Sequence, residues 1–264
     1  MEHHHHAKYH FDRDAFFRAI ILLGFAALTI WLSNTNQLAL YINPRFNDFV
    51  ELSSFLLFPL GVIQLLIVIR PTHEHEHRHT NRLSYLPFLA VLGLAFMVPG
   101  NMLSANLVGN KGLNRAINVA TPAPSSVSAP AIYRPLAAKL HQAQRIEVTD
   151  RDYTEIISEL ELFPTDYLDK KITLTGFVFR PPGITSSQFS LVRYVIVCCA
   201  ADARPYGVLC ELNNAAQYPD GTWLTISGVI ENSRYDGKVV AAVNIKSLKQ
   251  VEIPAAPYVF PFSQ

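Results

Sequence analysis

Three apolar runs occupy the first hundred residues of the chain, and a different pattern, alternating apolar and polar positions, takes over after residue 170. The first run, Ala15 to Leu32, is eighteen residues long. At 1.5 Å per residue it nearly crosses a hydrocarbon core of about 30 Å, and the following Gln-Leu-Ala-Leu-Tyr-Ile can extend it. Arg18 near its start can reach back to the interface. A cleaved signal peptide is the rival reading, but no small-x-small site follows the run, so a retained helix is expected. Phe49 to Ile69 is the clearest span, with Glu51 at its mouth, Pro59 inside it and Arg70-Pro71 as a stop. Tyr85 to Pro99 is at the lower margin of spanning length, either spanning or re-entrant, and a third span is expected. The predicted spans are therefore about 15–36, 49–69 and 85–99.

Basic residues near the helix ends orient such spans. Lys8, Arg13 and Arg18 flank the first run, and Arg70, Arg78 and Arg82 lie between the second and third, against Arg45 alone in the first loop. Lys111 and Arg115 after the third run weaken the contrast. Three spans place the N-terminus and the second loop in the cytoplasm and the C-terminal part outside. Two spans would place that part inside.

Val119 to Pro135, VATPAPSSVSAPAIYRP, has the composition of a semi-extended linker rather than of a core. Beyond it, Asp152-x-x-Glu155 predicts a capped helix start before Ile156, Ile157 and Leu160, and Pro164 ends that helix. Five stretches then read as strands: Lys171 to Phe179, Phe189 to Cys199, Gly207 to Leu212, Trp223 to Ile230 and Val239 to Leu248. Asp236-Gly237 predicts a hairpin turn. Five strands in about 80 residues, with Gly176 and Gly228 inside two of them, suit a small barrel of OB type. The expected fold is α+β: an N-terminal transmembrane region of two to three helices (1–118), a linker (119–148) and a soluble five-stranded OB-like β-barrel domain (149–264).

Composition sharpens this division. Only 16% of residues are charged, below the quarter or so usual for soluble domains. Before Arg145 there are 11 basic and 7 acidic residues; from there on, 11 and 14, so the net charge of +1 splits into +4 and −3. An acidic C-terminal half argues against duplex nucleic acid, which is held by neutralising phosphates. No nucleic acid partner is expected. The run His3 to His6 looks partly like an affinity tag and is given no function.

The densest chemistry lies in Arg193-Tyr-Val-Ile-Val-Cys-Cys-Ala-Ala-Asp-Ala-Arg-Pro-Tyr-Gly-Val208. Cys198 and Cys199 would point to opposite faces within a strand and can converge only if the strand ends there. A loop over residues 200–206 would bring Cys198 and Cys210 to one face as diagonal neighbours, about 7–8 Å apart. That is long for a disulfide and suits a metal after adjustment. Three readings stand: buried packing thiols, a metal or thiol site for zinc or cuprous ions, and a disulfide. Asp202 is a third ligand or the residue of an Asx turn. Arg204 pairs with Asp202, meets a partner or is solvated.

This segment, with Tyr41-Ile-Asn-Pro-Arg-Phe, Leu174-Thr-Gly-Phe-Val178 and the closing Pro257-Tyr-Val-Phe260, resembles the YcgQ-type subunits of two-component membrane permeases. The motif positions are Arg193, Cys198, Cys199, Ala201, Asp202, Ala203, Pro205 and Gly207. The resemblance implies a multi-span permease subunit as partner in the membrane. Cys210 and the second loop are not part of that pattern.

In that loop, His73, His75, His77 and His79 alternate with Glu74, Glu76 and Arg78. Such a tract is either a solvated loop or a modest, pH-dependent chelator of a divalent ion. Zinc or a similar ion is the one cofactor the sequence points to. No P-loop, dinucleotide fingerprint or Gly-x-Ser-x-Gly elbow is present, and the C-terminal half holds one histidine, His141, ahead of the strands. The expectation is a non-enzymatic, multi-pass subunit of a permease complex in the cell membrane, its β domain outside and offered to a partner or ligand. The alternative is metal delivery through the His loop and the thiols, and Arg193, Cys198, Cys199, Asp202 and Arg204 are the expected binding residues.

Overall fold

The computed structural model describes residues 9–71, 82–97, 103, 134–235 and 237–261. The chain divides into two compact units, Met1–Asn101 and Met102–Gln264.

In the first unit, helix α1 (Arg13–Asn34) starts at Asp12, whose carboxylate accepts from the Asp14 and Ala15 backbone N–H groups. It stops where Asn36 takes a left-handed conformation (φ 55°), a state short polar side chains tolerate. Helix α2 (Asn47–Ile67) keeps Pro59 inside a continuous helix. Both α1 and the stretch Pro44–Ile67 are long and apolar enough to cross a membrane. A short antiparallel pair, β1 (Tyr9–Phe11) with β2 (Ile69–Pro71), ties their ends together. The helices run antiparallel. Ser33 donates to Glu51 at 3.0 Å, Thr29 and Ser54 share a hydrogen bond at 2.5 Å, and Leu23 lies against Gly61.

Helix α3 (Leu86–Met97) covers twelve described residues, with residues 98 and 99 of the expected span lying outside the description, and a 3₁₀ turn, Arg82–Tyr85, precedes it. At 1.5 Å per residue those twelve residues rise about 18 Å. It runs parallel to α1: the Tyr85 ring stacks on Phe17 at 5.7 Å, Leu92 packs on Gly24, and Phe96 meets Trp31 at 6.4 Å. A Cβ on Gly24 would sit 2.3 Å from Leu92 Cδ2, so glycine allows this approach. Phe55 and Leu66 of α2 are about three-quarters exposed within this unit (75% and 73%). Leaving such side chains in water would forgo about 1.5–3 kcal/mol each.

The second unit is a β-sheet domain whose described residues include two helices longer than one turn, α4 (Pro135–Gln142) and α5 (Tyr153–Leu162). Its sheet has seven strands: β3 (Arg145–Glu147), β4 (Lys171–Phe179), β5 (Gln188–Val195), β6 (Arg204–Glu211), β7 (Trp223–Tyr235), β8 (Lys238–Gln250) and β9 (Tyr258–Val259). The order is β3-β4-β7-β8-β6-β5-β9, and β4 also pairs with β5. The pairings β4–β7–β8–β6–β5–β4 thus return to their starting strand. All are antiparallel except β6–β8. The short strands β3 and β9 add in parallel at β4 and β5 and were not expected.

Inward positions of the long strands form one core with α5: Leu174, Phe189, Leu191, Val208, Cys210, Ile226 and Val243 join Ile156 and Leu160. Strand β7 slips register between Ser227 and Gly228. A Cβ on Gly228 would lie 2.3 Å from the Asn244 carbonyl oxygen, so the bend requires glycine. Helix α5 begins at Tyr153 as the pattern predicts, but Asp152 does not cap it. Its carboxylate instead accepts from the Thr149 N–H (2.9 Å) and hydroxyl (2.6 Å). Gly237 has φ 75°, as a tight turn between β7 and β8 requires, while its predicted partner Asp236 lies outside the described residues.

Candidate functional site

The site forms where β5 stops. The apolar run through Val195, Ile196 and Val197 reads as continuing strand, yet β5 ends at Val195, opposite Arg204 of β6. The loop is therefore 196–203, centred on Cys199 and Ala200, and not 200–206. Asp202 causes the break. It ends a 3₁₀ turn (Ala200–Asp202), and its carboxylate accepts from three backbone N–H groups: Val197 at 3.0 Å, Cys198 at 2.7 Å and Cys199 at 3.4 Å. Donors that would have extended a ladder are turned onto one carboxylate.

This turn brings the two thiols together. Cys198 Sγ and Cys199 Sγ lie 3.7 Å apart, Cys198 exposed and Cys199 half-buried. With an Asp202 carboxylate oxygen they form a group whose ligand atoms all lie within 4.8 Å of one another. Burial raises the Asp202 carboxyl, but the Cys198 thiol and the three N–H groups outweigh it and hold its pKa below the usual value. The Cys198 thiol is pushed up to about 11, first by its hydrogen bond to Asp202 and next by that to Cys199.

Cys210 is not part of the site. It pairs with Phe189 near the other end of β5 and is fully buried in the core, because the loop is centred about three residues earlier than the expected one. Burial pushes its thiol up. Of the expected residues, Cys198, Cys199 and Asp202 come together. All three cysteines are free thiols, so the structure contains no disulfide. Arg204 opens β6 and is exposed; no ion pair between it and Asp202 is present among the described residues. His73, His75, His77 and His79 lie outside the described residues.

Arg193 does different work. Its side chain is buried in β5, and its guanidinium pairs with Asp150 and donates to the carbonyls of Ala256 (2.6 Å) and Tyr258 (3.4 Å). It thereby fastens the Pro257-Tyr-Val-Phe260 segment, in which Tyr258 and Val259 pair with Tyr194 and Val195. The Tyr258 hydroxyl accepts from the Leu103 N–H of the same unit at 2.8 Å. Two of the matching motifs, the arginine and the closing tyrosine, are therefore one structural joint.

One feature had no sequence signal. A cleft of about 220 Å³ opens between α5 and the β6–β8 face, lined by Ile157, Leu160, Val208 and Val240 with Glu161 and Lys238. Its residues come from five separate stretches of chain, none of which forms a spaced motif.

Comparison with known proteins agrees with this two-part layout. The model of the DUF1980 N-terminal domain matches residues 17–114 and that of the DUF1980 C-terminal domain residues 126–261. A Streptococcus mutans protein named "Putative two-component membrane permease complex subunit" is 26% identical over 92% of this chain and 98% of its own. The Bacillus subtilis protein YcgQ is 24% identical over 92% of this chain and 99% of its own. Among solved structures, the N-terminal domain of PriB from Thermoanaerobacter tencongensis covers 31% of this chain and 96% of its own at 18% identity and TM-score 0.22. A small single-stranded DNA-binding protein from Streptomyces coelicolor covers 31% and 93% at 8% identity, also with TM-score 0.22. Overlaps this loose say nothing of binding. With the C-terminal model alone covering more than half of its length, the chain belongs to the DUF1980 family, the YcgQ-type membrane proteins.

Proposed function

We propose that this chain is the membrane-anchored, non-enzymatic subunit of a two-component permease complex, with its β domain outside the membrane and available to a partner or ligand. The name of the Streptococcus relative, matched over nearly its whole length, supports the permease assignment. Two long apolar helices, one with large side chains exposed along it, support the membrane anchor. The ring of pairings from β4 back to β4 supports an OB-type barrel, a scaffold that commonly presents binding surfaces. The sole histidine of that domain, His141, stacks on Tyr167 rather than facing a thiol, which supports a non-enzymatic role.

One observation supports the outside placement. Helix α3 starts beside Phe17, near the beginning of α1, and ends beside Trp31, near its end. Met97, the last described residue of α3, thus lies toward the end of α1 opposite the β1–β2 pair. If the basic residues around β1 and β2 are retained in the cytoplasm, this supports an outside position for the chain beyond α3.

The test is purification from native membranes at endogenous level. A multi-span protein should co-purify stoichiometrically in mild detergent, and the chain should sediment with membranes when detergent is omitted. A chain that sediments but brings no multi-span protein contradicts the permease reading; one that stays in the supernatant contradicts the anchor.

A further inference from the structure

We propose that Cys198, Cys199 and Asp202 form a binding site for a tetrahedral divalent ion of the zinc class, with its fourth position open to solvent or to a partner's side chain. The proposal stands on the C-terminal domain alone and does not depend on the permease reading. Adjacent residues in extended chain direct their side chains apart. Here Cys199 is itself extended (φ −154°, ψ 168°), but the turn at Ala200–Asp202 folds the backbone so that both sulfurs face one side.

Their separation is informative. Two thiolates bound at about 2.3 Å to a tetrahedral ion sit about 3.8 Å apart, and the observed distance is 3.7 Å. A linear two-coordinate ion with similar bonds would hold them about 4.6 Å apart, and a disulfide about 2.05 Å. The sulfurs are therefore spaced for a tetrahedral bite. The same distance suits an S–H···S hydrogen bond, and the experiment must separate the two.

The third ligand is held ready. Asp202 is fixed by the Val197, Cys198 and Cys199 N–H groups, with Oδ1 accepting from Val197 and Oδ2 from the two cysteines. A carboxylate has about four lone-pair directions. The direction met by the Cys198 thiol is released when that thiol gives up its proton, and an ion can take it. Charge balances as well. With both thiols protonated the site carries −1; binding one M²⁺ releases two protons to solvent, and two thiolates, one carboxylate and the ion again sum to −1. A two-thiolate, one-carboxylate set with a free position suits an ion that is exchanged rather than one locked into the fold.

The experiment titrates cobalt(II) into reduced, metal-free, full-length protein without His3 to His6, in detergent. One equivalent should give a thiolate-to-cobalt charge-transfer band with the strong visible bands of tetrahedral cobalt, and zinc should displace it. C198S and C199S should each weaken binding at least tenfold and lose about half of the band; D202N should weaken it while keeping the band. Replacing His73, His75, His77 and His79 with Ala should leave the band intact, as should C210A. Circular dichroism checks that each variant folds, and zinc protection of Cys198 against alkylation gives an independent readout in the unmodified chain. Absence of the band, its persistence in the C198S/C199S double variant, or no zinc protection would overturn the proposal.

Discussion

Arg193 is buried almost completely, with 3% of its side chain exposed, while its partner Asp150 keeps 62% exposed. The asymmetry dictates which loss costs more. Without Asp150 the guanidinium remains buried and cannot shed its charge; without Arg193 the carboxylate simply hydrates. D150N should therefore destabilise the domain by about 1–2 kcal/mol, the exposure of Asp150 screening the pair, and R193M by less, through the lost bonds to Ala256 and Tyr258. Thermal unfolding of the two variants measures the order. Equal costs, or a larger one for R193M, would mean the ion pair is not what secures the C-terminal segment.

The Cys198 thiol should alkylate slowly. Held at about 11, it is mostly protonated at pH 8, and its maleimide rate should rise about tenfold per pH unit until it ionises. Asn at 202 removes the carboxylate that is the first cause of the shift, so D202N should react faster at pH 8. Stopped-flow alkylation checks both; a D202N rate equal to or below the parent's would contradict this electrostatic picture.

Cys210 tests the reassignment of the third thiol to the core. C210S places a hydroxyl among Phe189, Leu191 and Val243 and should cost about 1–3 kcal/mol, whereas C210A should cost less. Neither should change Cys198 alkylation. Chemical denaturation reads the first effect and the maleimide rate the second.

In the membrane unit, the parallel run of α1 and α3 predicts a specific cross-link. A short bifunctional thiol reagent should join W31C to F96C, whose native rings lie 6.4 Å apart, and should fail with W31C and Y85C, because Tyr85 stacks at the other end of α1. The opposite yield would mean α3 does not climb alongside α1.

The legible part of the fold is the part whose patterns report burial directly. Apolar runs of spanning length located α1 and α2; alternation located β4, and Val, Ile and Thr enrichment between Gly, Pro, Asn and Asp breaks located the other four long strands. The short strands β3 and β9 escaped notice, since two or three residues added at a neighbour carry no periodicity of their own. Strand β5 was read four residues too long for a related reason. Ile196 to Cys199 has strand composition, but Asp202, three residues past that stretch, takes its N–H groups. With β6 also beginning at Arg204 rather than Gly207, the loop moves toward the N-terminus, and Cys210 goes to the core instead of the site. The meeting of Cys198, Cys199 and Asp202 was foreseeable as a possibility of the motif; the sulfur spacing was not, because it depends on a turn. The Arg193–Asp150 joint spans 43 residues and could be read only from the fold.

The central proposal is that this protein crosses a bilayer and carries its β domain on the far side from its N-terminus. Single cysteines at two exposed positions, R13C and K249C, in a C198S/C199S/C210A background of the full-length chain, test it with a membrane-impermeant maleimide. In intact cells K249C should label and R13C should label only after permeabilisation. Labelling of R13C in intact cells, or silence of K249C until the membrane is opened, would contradict it.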